Sequence, residues 1–497
     1  MRQSKLKWFF SETSVKLILL FILPSLLTAQ VPDTLWTQMW GGDLPDRGNC
    51  VQQLPDGGYI TVGTTMSYVG APGDDTNLWL LRTDAAGDTL WGKVFGSIEI
   101  DYGNCVDQTS DGGFIVVGET KSFGSVDLDM YVIRTDSQGD SIWSNHYGGD
   151  GYDKAHWVSE TFDGNYIICG YGNSYGAGME DAYLMKLDSN GTMLWLKTFG
   201  GPMSDVSWEL QETADHGYIM AGSYSGSDSD LWLIKTDIDG NIIWENTYGG
   251  TQNDWGRSLD QTADGGYIIL GNGFSNSAGL TDFQIVRTDS LGQEIWSGTY
   301  GGPNFDTGLS IRETDDQGFI LIGWTRSFGA GDQDIWLLRT DSAGDTLWTQ
   351  TYGAASYESC RVIQITEDGG YVFVGHTASY GGAEMYWLFK TEPDTSSTSI
   401  SGEPPVSALL AGNHPNPFNL CTAVSFKLEE GGPVRLTIYD TSGRMVRCLS
   451  DDLLPSGEHS LIWDGCDDTG HFLPSGVYLY ALETRTGLQS QRMILLE

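Results

Sequence analysis

The run DGGYITVGTTMSYVGAPGDDTNLWLLRTDAAGDTLWGKVFG at 56–96 decides the fold. It holds three short stretches rich in Val, Ile, Leu and Trp: YITVGTT (59–65), LWLLRT (78–83) and TLWGKVF (89–95). A fourth, CVQQL (50–54), stands just before it. Runs of this length and composition, parted by Gly- and Asp-bearing turns, read as β-strands, and nothing in the unit keeps a helical period. The unit then returns. Trp36, Trp91, Trp143, Trp195, Trp244, Trp296 and Trp348 follow at intervals of 55, 52, 52, 49, 52 and 52 residues. A period near 50 marks a repeat architecture in which each unit buries its apolar face on the next.

With the four strands named a to d in order, the repeat region opens on a d-type strand at 34–41 and ends on a c-type strand at 386–391. Seven a–b–c sets need seven d strands, and only six lie inside. The sequence therefore predicts an all-β fold, a seven-bladed β-propeller over 30–392 whose last blade is closed by the N-terminal strand. The turns have a mechanism. D-G-G-Y and its variants recur at Asp56, Asp111, Asp163, Asp215, Asp264, Asp316 and Asp368. T-D-x-x-G recurs at Thr83, Thr135, Thr236, Thr288 and Thr340, with Leu187 in one copy. Gly supplies positive φ and Asp bonds nearby backbone, so these Asp residues read as structural. In strand d the Trp shares parity with an aromatic four residues on, as in Trp91 with Phe95 and Trp143 with Tyr147. That face is expected to pack between blades.

Residues 1–29 read as a secretory signal: Arg2, Lys5, Lys7 and Lys16 precede the apolar run LILLFILPSLLTA, with cleavage expected after Ala29. No later stretch has the apolar length of a membrane span. The chain carries 26 basic and 66 acidic residues, a net charge of −40. Losing a leader of four basic residues and Glu12 takes the mature chain to about −43. Such a surface repels nucleic acid and anionic lipid. The seven cysteines form no CxxC pair. Cys50, Cys105, Cys169 and Cys360 are expected as buried small side chains, while Cys448 and Cys466 are left open as a pair. PDTSSTSISGEPPVSALLAG at 393–412 reads as a linker. After it, 413–497 alternates as a small immunoglobulin-like β-sandwich.

The d-to-a and b-to-c loops share one rim and are the long, variable ones, where function concentrates. Two acidic sets lie there. Asp46, Asp101, Asp153, Asp205, Asp254, Asp306 and Glu358 precede strand a and are expected to ring the channel mouth. Asp129, Asp181, Asp230, Asp282 and Asp334 precede strand c, with Asn77 and Met385 in the same slot of the first and last blades. Carboxylates gathered with carbonyls suit Ca²⁺, the one cofactor such a ring would take. A position filled in every blade also reads as a repeated structural bond. GNSYG at 172–176 fits G-x-S-x-G around Ser174 but lacks the strand–turn–helix setting a nucleophile needs. His146, His156, His216 and His376 are scattered, and no catalytic constellation is legible. His156 and Arg257, near strand a, are the nearest candidates for odd polar residues at a mouth.

HPNPFN (414–419), YDTSGRMVR (439–447), WDGCDDTG (463–470), PSGVYLYALE (474–483) and RMILLE (492–497) together closely resemble the C-terminal sorting domain of bacterial type IX secretion cargo. That domain is similar to the immunoglobulin-like module of flagellar hook-capping proteins. Asn416, Pro417, Phe418, Asn419, Asp440, Gly443, Arg444, Trp463, Asp464, Gly465, Gly476 and Tyr478 carry the likeness, and Cys421 and Cys466 depart from it. The resemblance implies export to the periplasm, passage across the outer membrane of a Gram-negative-type bacterium through its secretion machinery, and release or surface attachment. The repeats resemble pyrroloquinoline-quinone-like and WD-like propeller repeats. They differ from sialidase Asp-boxes in that Asp84 and Gly87 stand three apart instead of two, so no catalytic residue of either kind carries over. The expected function is a secreted or cell-surface, monomeric, non-enzymatic propeller. It would bind an extracellular protein or glycan through its variable rim, with no nucleic-acid partner. The alternative is a secreted hydrolase or lyase acting on glycans at the channel mouth.

Overall fold

The computed structural model describes residues 31–68, 76–97, 99–123, 127–275, 277–380, 383–397, 408–414, 418–419, 421–428, 431–440, 444–468, 470–484 and 487–495. The expected leader at 1–29 lies outside them. The chain divides into two compact units, Met1–Thr398 and Ser399–Glu497. Apart from a 3₁₀ turn at Thr395–Ser397, every regular element among the described residues is a strand.

The first unit consists of seven four-stranded antiparallel sheets. Blade 1 runs a (Asp46–Gln53), b (Tyr59–Thr65), c (Asn77–Thr83) and d (Thr89–Phe95), and the later blades repeat it. Strands b and c of blade 1 are buried along their whole length, which is why they read as near-continuous apolar runs instead of alternating. Strand d is half exposed and forms the outer edge. Blade 7 takes Glu358–Ile365, Tyr371–Thr377 and Met385–Thr391 as its first three strands and Thr34–Trp40 as its fourth. That last strand pairs antiparallel with Met385–Thr391, Thr37 opposite Phe389 and Met39 opposite Trp387.

The junction between blades 7 and 1 has the same contacts as the other junctions. The Trp of each strand d meets the first aromatic of strand b in the next blade: Trp36 with Tyr59 at 5.5 Å, Trp91 with Phe114 at 6.0 Å and Trp244 with Tyr267 at 5.9 Å, all edge-on. The N–H of the first acidic residue of strand a donates to the preceding blade's b–c loop, Asp46 to Glu384 O (2.9 Å) as Glu358 to Gln333 O (2.9 Å). Strand d's Trp also explains the Gly of T-D-x-x-G. Gly139 has φ +75°, and a Cβ on it would come within 2.6 Å of the Trp91 ring. The turn needs both a left-handed residue and an absent side chain.

The Asp of each a–b turn is pinned by a buried cation from strand c: Asp56 by Arg82, Asp111 by Arg134, Asp163 by Lys186, Asp215 by Lys235, Asp264 by Arg287, Asp316 by Arg339 and Asp368 by Lys390. Burial opposes ionisation of Asp163, yet its bonds to Lys186 and Thr161 hold it down to about 2. The structural reading of these turns is therefore right, and the cation is the partner the sequence reading left unnamed.

The second unit sets a three-stranded sheet (Ala408–His414, Thr422–Leu428, Gly457–Trp463) against a four-stranded one (Met445–Leu454, Gly432–Asp440, Gly476–Thr484, Gly487–Leu495) over one core. Its first strand begins at Ala408, inside the stretch read as linker. The Ser/Pro composition of 393–412 hid a strand that pairs with Thr422–Leu428. Cys50, Cys105, Cys169, Cys360 and Cys466 are buried, and Cys448 and Cys466 are free thiols.

Candidate functional site

The acidic ring expected at the channel mouth is not a mouth. Asp46, Asp101, Asp153, Asp205, Asp254, Asp306 and Glu358 are each fully enclosed within their own blade. Asp46 accepts from Gly42 N (3.0 Å), Ser67 Oγ (2.6 Å) and Thr65. Asp254 accepts from Gly250 N (2.9 Å), Ser275 Oγ (2.6 Å) and Phe274 N (2.9 Å). Glu358 accepts from Thr377 Oγ1 (2.8 Å) and Ala354 N (3.2 Å). Each carboxylate thus ties the d–a loop to the end of strand b and its loop, a structural bond seven times over. Burial raises the pKa of Asp101, Asp153 and Asp205 despite these bonds. Among the described residues no three His, Cys, Asp or Glu side chains gather as a metal site.

Three residues further along, the blades stop being alike. Every strand a carries a β-bulge at the same place, for example between Gly48 and Cys50 and between Gly256 and Ser258. The residue before the bulge is Gly, Ala, Ser or Cys because the neighbouring blade passes close. A Cβ on Gly308 would meet Leu270 at 2.6 Å. The extra residues are Asn49, Asn104, His156, Trp208, Arg257, Leu309 and Arg361, and all seven line one cavity of about 480 Å³ in the channel. A bulge re-aims one side chain per strand, and such devices recur beside functional sites. The cavity lies toward the rim of the d–a and b–c loops, the rim the sequence favoured.

This cup is electropositive in a protein of net charge −40. Arg47, Lys154, Arg257 and Arg361 line it, with Glu119 and Glu209 as the acids. Arg47 pairs with Glu384, and Lys154 stands 3.9 Å from Glu119. Arg257 and Arg361 meet no carboxylate within 4 Å among the described residues. The Arg257 guanidinium stacks 3.9 Å over the Trp208 ring, and its Nε has no hydrogen-bond partner. Burial and then the charge on Arg361 push Arg257 down to about 10. His156 lies flat on Tyr171 (5.2 Å, 9° between planes) and edge-on to Trp208 at 4.2 Å, with Nε2 unpartnered. Burial first, then Arg257, Lys154 and Arg361, hold His156 well below its usual pKa, so its ring is neutral.

The cup has a floor. Arg312 of blade 6 reaches across the channel to Glu209 of blade 4 (2.7 Å) and lies 5.8 Å over Trp157 of blade 3. Beneath it is a second, smaller cavity lined by Arg312, Gln52 and Asp107. Around this level the a strands are laced together, as in Gln52 Nε2 to Asp107 Oδ1 (2.8 Å) and Gln211 Nε2 to Asp260 Oδ1 (2.9 Å).

His156 and Arg257 stand out only singly in the sequence, and the structure brings them together in one converging cluster. Strict two-residue alternation hides the bulge. The available signal was the pattern of Asp or Glu, any residue, a small residue, then an odd one: DRGN, DYGN, DKAH, DVSW, DWGR, DTGL and ESCR. Ser174 donates to Asp153 Oδ2 (2.5 Å) as part of the loop staple, not as a nucleophile. In the second unit Phe418, Trp463 and Tyr478 are core residues, with ring centroids 5.5 and 5.2 Å apart about Trp463. Trp463 Nε1 donates to Cys466 O (2.9 Å), Asp464 caps the turn at Cys466 N (3.2 Å) and Gly465 supplies φ +72°. Asn419 is exposed and Gly476 opens a strand, while Asn416, Pro417 and Gly443 lie outside the described residues.

Residues 421–487 match the FlgD Ig-like domain family. No curated protein matches the chain. Among solved structures, PorZ of Porphyromonas gingivalis, described as an essential surface component of the type IX secretion system, is similar at 12% identity and TM-score 0.39. The similarity covers 89% of this chain and 59% of PorZ. A protein of unknown function from Dyadobacter fermentans is similar at 10% identity and TM-score 0.41, over 72% of this chain and 98% of its own. The periplasmic gluconolactonase PpgL of Pseudomonas aeruginosa is similar at 11% identity and TM-score 0.42, over 62% and 85%. Likeness this distant carries neither activity nor partner across.

Proposed function

We propose that the protein is a secreted or cell-surface, non-enzymatic binding protein that holds an anionic ligand in the cup at the variable-rim end of its channel. One observation supports this above the rest. Arg257 and Arg361 line the cavity with no carboxylate within 4 Å of either among the described residues, in a chain whose acids outnumber its bases by 66 to 26. Two like charges held near one another repel, a bound anion relieves that repulsion, and the planar fork suits a two-oxygen group. Export is assigned to the amino-terminal apolar segment and the C-terminal sandwich, whose motifs resemble those that address cargo to the type IX machinery. The sandwich is given no part in binding.

Isothermal titration tests the reading with glucuronate, citrate and inorganic phosphate beside neutral glucose. At least one anion is expected to bind, with affinity falling as salt rises, and glucose is not. The double variant Arg257→Gln, Arg361→Gln should abolish binding while leaving the melting temperature close to that of the parent. Equal binding by parent and variant overturns the site. Release of a chemically altered product overturns the non-enzymatic part.

A further inference from the structure

We infer that the ligand is a single acidic sugar at the end of an otherwise neutral glycan. This rests on the anion-binding reading of the cup and narrows it on four grounds.

The first is the mixture of groups. Beside the two free guanidinium forks, the cup offers acceptors. Asn49 Nδ2 donates to Gly103 O (2.7 Å) and Asn104 Nδ2 to Ala155 O (2.9 Å). Asn104 Nδ2 also donates to Glu119 Oε1 (3.3 Å), so both its amide protons are engaged while Asn49 keeps one, and the two amide oxygens remain to accept. Glu119 adds a carboxylate whose pKa is raised by burial. A phosphate or simple carboxylate brings no donors for these groups. A ring bearing one carboxylate and several hydroxyls serves both sets at once, and a buried acceptor left unmet is costly. The second ground is the aromatic lining: Tyr102, beside the His156–Tyr171 stack and the Arg257–Trp208 stack, gives the cup apolar surface against which the C–H face of a sugar packs.

The third is the floor. With Arg312 drawn across to Glu209 and Trp157, a chain cannot thread the channel, so only an end enters. A volume of about 480 Å³ is within the usual range for small-ligand sites and has room for one or two sugar rings. The fourth is the charge outside. The rim loops carry exposed Asp43, Asp127, Asp150 and Asp332. These acids, and the negative body behind them, repel any further negative charge within a Debye length of about 8–10 Å. A polyanion is penalised along its length. A neutral chain ending in one acidic unit is not.

The test is calorimetric titration of the full mature chain with five probes: 3′-sialyllactose, a glucuronosyl disaccharide, lactose, inorganic phosphate and oligogalacturonates of increasing length. At least one of the two mono-acidic sugars should bind at least about tenfold tighter than both lactose and phosphate, the worth of one or two charge-assisted hydrogen bonds. Arg361→Gln should lose about tenfold, and Asn104→Leu, which removes the accepting oxygen without adding charge, should weaken sugar binding more than phosphate binding. Two outcomes overturn the inference while the anion-binding reading stands: phosphate binding as tightly as the tighter-binding of the two acidic sugars, or oligogalacturonate affinity rising with every added unit. If no anion binds, phosphate included, both fall together.

Discussion

At the residue scale, a carboxyl group does opposite things in two places on one blade. The Asp of each a–b turn is pinned by a cation from strand c. The Asp before strand c is buried with less to hold it. Asp282 is 1% exposed, accepts Ala278 N (2.6 Å) through Oδ2, and leaves Oδ1 without a partner. Burial, and then the neighbouring Asp306, raise its pKa while the bond from Ala278 opposes them. The sign follows. A carboxyl whose folded value is raised favours the fold only while protonated, below its unfolded value near 4. It becomes a cost as pH climbs through the folded value. The first blade already carries Asn77 at this position. Asp282→Asn should therefore raise the melting temperature at pH 7 by about 1–2 °C, with the gain vanishing near pH 3. Thermal melts across pH show this, and a loss of stability at pH 7 contradicts it. His156 acts in the reverse sense. Its lowered pKa means that protonation favours unfolding, so its contribution to stability is lost as pH falls below about 6.5. His156→Gln should flatten that part of the stability–pH curve.

At the scale of elements, the strand c cation and the a–b turn form the staple of each blade. Arg339 is wholly buried between Asp316 (2.6 Å) and Asp394 (3.3 Å). Arg339→Ala strands two carboxylates and should cost about 3–5 kcal/mol, read by urea denaturation. A cost under about 1 kcal/mol would show that the pair is merely a surface contact. The strands, their order and the turn glycines were legible because local composition dictates them: Trp at a fixed period, Gly where φ is positive, β-branched runs between. The bulge was not. It arises because the neighbouring blade presses on Gly103, where a Cβ would come within 2.6 Å of Val62, and that pressure comes from a residue 41 positions back in the chain. The seven acids before strand a were legible as a set. Their role was not, since whether they face the channel or their own loops depends on the approach of Ser67 or Ser275, which spacing does not reveal. Cup residues escaped notice for a related reason. They converge only when seven strands stand in a ring, and the bulge residues stand about 50 positions apart in sequence.

At the scale of the molecule, a circle of seven nearly identical blades carries an asymmetric lining at one level of its channel. The circle depends on the pairing of Thr34–Trp40 with Met385–Thr391. Deleting residues 31–41 leaves the latter strand as a bare edge with Trp387 and Phe389 behind it. The shortened protein should melt in a broader, lower transition and self-associate, seen by calorimetry and sedimentation. A monomer with an unchanged, sharp transition argues against the pairing. In the proposed function the acidic exterior and basic cup act together, the body keeping polyanions away and the cup admitting one negative charge. Bromide is a compact anion with a strong anomalous signal, and it reports this division directly. In crystals soaked in bromide, the strongest anomalous peak on the propeller should lie in the cup between Arg257 and Arg361 and vanish in the double glutamine variant. A cup that stays free of bromide while other surfaces take it up would contradict the account.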